Sequence, residues 1–214
     1  MDTIDSDYLT AFFRHAAQHL EAQRGHLCAL DGEIGDGDHG TSMANGFAAV
    51  HRKLSDEGGS SLAPADIMRK AASNFIAEVG ATVGPLYATG FLEAAKRLED
   101  GPMATTDLGQ FMGCIADGIA RRGKARLGDK TMLDVWLPSA QAADRAALEG
   151  QPPAAVAEAA AQTAEKAALG TRSMIANCGR AARLKERSLG HVDPGASSAA
   201  SLISVFALLA DGRS

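Results

Sequence analysis

The sequence predicts an all-α fold, an antiparallel bundle or barrel of eight helices with one functional end. Three observations carry that prediction. Apolar residues recur at three- and four-residue spacing along most of the chain, the mark of helices buried on one side. No segment alternates convincingly with a period of two, and Asn45-Gly46, which would suit a hairpin turn, falls inside a helical stripe. Alanine, the best helix former, is abundant, and its small side chain lets helices approach closely.

The stripes follow one another in order. The first is Leu9, Phe12, Phe13, Ala16 and Leu20, and the second is Met43, Phe47, Val50 and Leu54, with Thr41 or Ser42 as its cap. The third is Ile67, Met68, Ala71, Phe75 and Val79, and the fourth runs from Leu86 to Leu98. A fifth begins near Thr106 or Asp107 and uses Leu108, Phe111, Met112, Ile115 and Ile119. The sixth covers Met132 to Leu148. The seventh opens at Pro152-Pro153, where proline suits a first helical turn, and runs to about Ile175. The eighth follows Asp193-Pro194-Gly195 and uses Ala199, Leu202, Ile203, Phe206 and Leu209. Gly58–Ser61 reads as a surface loop, so residues 1–214 are expected to form one domain.

Composition narrows the function. Apolar residues make up 46% and charged residues 22%, which fits a folded chain and excludes a disordered one. A net charge of −5 gives no basic face for a nucleic-acid backbone; the basic run Arg180–Arg187 reads as a solvated face. No stretch approaches the roughly 18 consecutive apolar residues that a membrane span needs, and the first thirty residues lack a secretory pattern. Cys28, Cys114 and Cys178 are odd in number and far apart, which suits a reduced, cytoplasmic protein and neither a disulfide framework nor a zinc site.

Four connections stand apart: Asp31–Gly40, Gly80–Pro85, Gly123–Thr131 and Ser188–Gly195. Each is rich in glycine and in polar or charged groups. They follow the first, third, fifth and seventh helices, so in an antiparallel bundle all four meet at one end. In the first, Asp31, Asp36 and Asp38 crowd together, and clustered carboxylates repel unless a hard cation such as Mg²⁺ or Ca²⁺ neutralises them. The plain alternative is an exposed acidic loop with Asp38 as a helix cap. An EF-hand fails in register, since it would need glycine at Thr41 and glutamate at Phe47. Gly80–Pro85 opens a helix, whose free N–H groups favour anions. Gly123–Thr131 is not a P-loop, because Asp129 separates Gly128 from Lys130. Its two lysines and one arginine suit a phosphate, the acidic loop, or merely solvent. Arg180 or Arg187 offers the planar fork that grips phosphate. His191 reads either as a general base or as a structural hydrogen-bonder. No nucleophile elbow or zinc-protease signature is present, and no catalytic side chain is assigned.

Together, Ile34-Gly35-Asp36-Gly37-Asp38-His39-Gly40, Gly84-Pro85-Leu86, Gly128-Asp129-Lys130-Thr131-Met132 with Asp134-Val135-Trp136, and Gly190-His191-Val192-Asp193-Pro194-Gly195 resemble the L-subunit family of dihydroxyacetone kinases. That family is similar in turn to the C-terminal domain of the ATP-dependent dihydroxyacetone kinases. The resemblance implies an eight-helix barrel that binds ADP or ATP at one end through Mg²⁺, two ions in the family. It implies Asp31, Asp36 and Asp38 as metal ligands. It implies nucleotide contacts from His39, Gly40, Thr41, Ser42, Thr82, Val83, Gly123, Met132, Arg180, Asp193, Pro194 and Gly195. Many relatives carry serine where Val83 stands, so the hydroxyl there passes to Thr82 or to backbone N–H groups. The implied partners are a K subunit carrying the ketose and, for some members, a phosphotransferase-system M subunit as phosphate donor. A kinase subunit of this kind is the expectation. A non-catalytic nucleotide-binding regulator and a metal-dependent phosphohydrolase are the alternatives.

Overall fold

The computed structural model describes residues 2–80, 82–210 and 212. Among them lie eight α-helices: α1 (Ser6–Ile34), α2 (His39–Asp56), α3 (Pro64–Glu78), α4 (Val83–Arg97), α5 (Leu108–Gly123), α6 (Leu133–Leu148), α7 (Pro153–Gly170) and α8 (Pro194–Ala210). Each helix packs against the next in sequence, and α8 closes the ring against α1. The all-α prediction holds. No helix among the described residues is long and apolar enough to cross a membrane.

Local sequence sets the helix ends. The Asp5 carboxylate accepts the Tyr8 N–H at 2.9 Å and caps α1. Pro64 and Pro153 occupy first turns, where a missing N–H costs nothing. The boundaries depart from expectation in places. The expected acidic loop is shorter, because α1 continues through Gly32 to Ile34. A long, already nucleated helix absorbs the ~1 kcal/mol that an interior glycine costs. The α2 helix starts at His39, with Asp38 rather than Thr41 or Ser42 at the cap position, and the Asp38 side chain makes no capping bond. The α7 helix stops at Gly170 and yields to a 3₁₀ turn, Thr171–Ser173, short of Ile175. A strand pair also exists: β1 (Thr3–Ile4) runs antiparallel to β2 (Met103–Ala104). Two residues per strand leave no alternation to read.

One contiguous apolar core runs the length of the ring. Phe12 stacks on Phe206 with centroids 4.5 Å apart, and Phe47, Phe75, Tyr87 and Phe91 meet edge to face or tilted around the middle. A separate small cluster of Ile34, Ala176 and Ala181, with Leu184 against it, fastens the α7–α8 connection onto the end of α1. The α1–α2, α3–α4, α5–α6 and α7–α8 connections share one end of the barrel, where residues from all four line a single cavity.

Candidate functional site

The cavity has a volume of about 220 Å³. Its acidic side holds Asp31, Asp38 and Asp193, and its apolar side holds Ile34, Val83, Leu86, Ile119, Met132 and Ala181. The last turn of α1 fixes Asp31, which is 8% exposed. Asp31 Oδ2 accepts the N–H groups of Asp38 at 2.9 Å and His39 at 3.2 Å, so this carboxylate folds the turn and meets the start of α2. A Cβ on Gly35 would lie 2.1 Å from Asp31 Oδ1, so only glycine leaves the carboxylate its place. Asp31, Asp36 and Asp38 each bring a carboxylate oxygen to within 4.8 Å of the others, a donor set that fits a hard divalent cation. Arg180 pairs with Asp36 and lies 3.6 Å from Asp38, so one positive charge offsets part of the charge of the three carboxylates. Partial burial and the neighbouring Asp36 carboxylate raise the Asp38 pKa above its ordinary value, with Arg180 opposing.

His39 opens α2 with its ring in the cavity wall and Nε2 2.8 Å from Ser198 Oγ. Ser198 is buried on α8 and donates its hydroxyl to the Gly195 carbonyl at 3.0 Å, while deeper in the core the Tyr87 hydroxyl accepts the Trp136 indole N–H at 3.3 Å. Burial lowers the His39 pKa to about 4, so the ring is neutral at pH 7. Asp193 caps α8, accepting the Ala196 N–H at 2.7 Å, and burial raises its pKa to about 7 against that bond and the Lys130 charge.

Of the residues implied by the resemblance, Asp31, Asp38, His39, Ser42, Thr82, Val83, Gly123, Met132, Arg180, Asp193, Pro194 and Gly195 line this cavity. Asp36 stands at its edge against Arg180. Gly40 and Thr41 lie outside the lining: a Cβ on Gly40 would meet the Arg24 carbonyl at 2.1 Å, so Gly40 serves the α1–α2 crossing, and Thr41 Oγ1 sits 3.5 Å from Cys28 Sγ. Ala81, in the α3–α4 turn, lies outside the described residues. His191 Nδ1 lies 2.9 Å from Glu33 Oε2. Lys130, which the sequence offers as a phosphate ligand, is 1% exposed and gives its ammonium to backbone carbonyls. Sequence reasoning missed Ser198, which holds His39, and the wall residues Ile34, Ile119, Cys178 and Ala181, because a small or apolar residue carries no sign in the sequence of facing a cavity.

Comparison with known proteins identifies the family. The family model described as the DAK2 domain matches residues 33–208. The PEP-dependent dihydroxyacetone kinase, ADP-binding subunit DhaL, of Escherichia coli (strain K12) is 39% identical over 189 residues, covering 86% of this chain and 88% of that protein. The ADP-binding subunit DhaL of kinase 1 of Listeria innocua is 34% identical over 200 residues, covering 94% of each. The D-erythrulose kinase of Mycolicibacterium smegmatis is 31% identical over 189 residues, but this chain spans only 33% of its length. The crystal structure of the dihydroxyacetone kinase from C. freundii in complex with AMP-PNP and Mg²⁺ superposes with a TM-score of 0.70 over 94% of this chain and 33% of that one; at 22% identity the likeness is one of fold. With most of its length matched and full-length relatives above 30% identity, the chain belongs to the DAK2 domain family, alongside the ADP-binding subunits of dihydroxyacetone kinases.

Proposed function

We propose that this chain is the nucleotide-holding, phosphoryl-transferring subunit of a kinase for dihydroxyacetone or a related short ketose, acting on a sugar held by a separate K subunit. The observation that carries the reading is the meeting of Asp31, Asp36 and Asp38 with Arg180 beside a cavity whose other wall is apolar. Carboxylates suit Mg²⁺, the fork of Arg180 suits a phosphate, and Leu86, Ile119 and Met132 offer an apolar surface to a nucleoside. Bound Mg²⁺ would neutralise charge on the phosphates, which is most of what phosphoryl transfer asks of a protein. The chain's own residues do the rest. Asp31 holds the turn that presents Asp36 and Asp38, neutral His39 is fixed by Ser198, and Pro194 and Gly195 bring the start of α8 into the cavity wall. Relatives named as ADP-binding subunits of PEP- or PTS-dependent kinases support ADP as a retained carrier, recharged by a phosphotransferase-system protein.

Calorimetric titration with ADP, with and without Mg²⁺, tests the site. Binding should require Mg²⁺, and Asp36→Asn should weaken it by about tenfold or more while leaving the helical circular dichroism unchanged. Addition of a cognate sugar-binding subunit and a phosphate donor should then yield a ketose phosphate. Mg-ADP binding without any transfer would instead make the chain a regulatory nucleotide sensor.

A further inference from the structure

Lys130 is a buried lysine whose ammonium has no contact with a carboxylate in the hydrogen-bond network. Its Nζ lies 2.8 Å from the Thr171 carbonyl, 3.2 Å from Met174, 2.8 Å from Ser188 and 2.6 Å from His191. Burying a charge is costly unless every donor is used; here three N–H groups face four oxygens, and the buried Asp193 carboxylate is the charge that acts on the ammonium from beyond hydrogen-bond contact. The location lowers that cost. Thr171 and Met174 end α7 and its 3₁₀ extension, and Ser188 ends the 3₁₀ segment Ala181–Ser188, so the ammonium meets carbonyls presented at helix ends, of which Thr171 also accepts the Met174 N–H at 3.0 Å. The backbone of Lys130 is held in place as well. Asp134 accepts N–H bonds from Gly128 and, at 2.8 Å, from Thr131, and Lys130 itself has φ +61°, a left-handed conformation costly for a residue with a Cβ.

The four carbonyls fall in two pairs. Thr171 and Met174 begin the α7–α8 connection, and Ser188 and His191 end it. One ammonium therefore joins both feet of a segment whose middle, Cys178–Ala181, lines the cavity and carries Arg180 to the aspartates. Three further bonds close the same base: Gly190 N–H to Arg172 O at 2.8 Å, Arg172 Nε–H to Gly190 O at 2.8 Å, and Ala176 N–H to Ser188 Oγ at 2.9 Å. We propose that Lys130 is a positioning residue: its ammonium clasps the two feet of the 171–191 connection and so sets where Arg180 and the cavity wall at Cys178–Ala181 stand. On this reading it governs nucleotide affinity through the connection and not by gripping phosphate. The affinity part rests on the proposed nucleotide site; the clasp does not.

The test compares the wild-type chain with Lys130→Met and Lys130→Arg. Amide hydrogen exchange in 176–190 should quicken by about tenfold or more in Lys130→Met, with α3 and α4 unchanged, because the ammonium that joins the two feet of the connection is gone. Mg-ADP affinity should fall by about tenfold or more, while Mn²⁺ alone binds the aspartates no more weakly than in wild type. Lys130→Arg, which keeps charge and donors, should recover part of the nucleotide affinity. Wild-type exchange in the variant would overturn the clasp. A uniform rise in exchange together with loss of Mn²⁺ binding would reduce Lys130 to a general stabiliser and overturn the positioning role. Should Lys130→Met not fold, acetylation of the wild-type chain decides: Lys130 should react far more slowly than the exposed Lys124, and equal rates would refute the clasp. If the wild-type chain binds no Mg-ADP, the nucleotide reading fails and the exchange comparison still judges the clasp.

Discussion

His39 and Asp193 both line the cavity, and burial pushes their ionisation in opposite directions. In the unfolded chain His39 would bind a proton near its ordinary pKa of 6.5, whereas in the fold it resists protonation down to about 4. Its contribution to stability is therefore present above pH 6.5 and lost as pH falls toward 4. Asp193 behaves the other way: its pKa rises from 3.8 to about 7, so its contribution is present below pH 4 and lost as pH rises through 7. Each shift corresponds to on the order of 3–4 kcal/mol, so the two slopes nearly cancel between pH 4 and 6.5. His39→Gln removes one of them. The difference in unfolding free energy between wild type and variant, from urea titrations, should grow in favour of wild type by a few kcal/mol from pH 4.5 to 6.5. Parallel profiles would show that the ring is not buried as a neutral base. Sequence made His39 and Asp193 candidates through their motifs, but neither shift was legible, because both arise from burial by segments far apart in the chain.

Helix α5 carries Gly123 to the cavity, and its height on α4 is set by a crossing of two glycines. A Cβ at Gly118 would stand 2.6 Å from Gly90 Cα and 2.7 Å from Gly90 N, contacts that no rotamer relieves. Gly113 lies on the same helix, and a methyl added there would have nothing within 4 Å. The two sites separate propensity from packing. Gly113→Ala should stabilise by about 0.5–1 kcal/mol, the ordinary gain of alanine over glycine in a helix. Gly118→Ala should destabilise by about 1–3 kcal/mol, because the helices must move apart. Urea midpoints decide, and equal shifts for the two variants would mean that the crossing is not close. The helical stripes were readable because Phe111, Met112, Ile115 and Ile119 repeat at helical spacing. The tight crossing was not, since Gly90 and Gly118 look like any helix-weakening glycine until their partners are known. The same limit hid the extension of α1 to Ile34, where packing against Ala176 and Ala181 outweighs what Gly32 and Gly35 suggest.

At the scale of the whole molecule, alternation of helix direction brings four distant connections to one end, and this was legible from helix count alone. Their division of labour was not. Asp36 and Arg180, 144 residues apart, pair across the mouth, while Lys130 turns inward to hold the segment that carries Arg180. A ligand in the cavity should therefore be felt by all four connections. With Mg-ADP at about a hundred times its dissociation constant, linkage adds about 2.7 kcal/mol, a rise of roughly 5–10 °C in the midpoint for a chain of this size. Hydrogen exchange should slow together at 35–42, 82–86, 123–132 and 176–195, and barely at the β1–β2 end. Chelation of Mg²⁺ should reverse both effects, and Asp36→Asn at the same ligand concentration should cut the linkage to about half or less. Protection confined to one connection, or a thermal shift indifferent to Mg²⁺, would place the nucleotide elsewhere and leave the aspartate cluster a surface feature held together by Arg180.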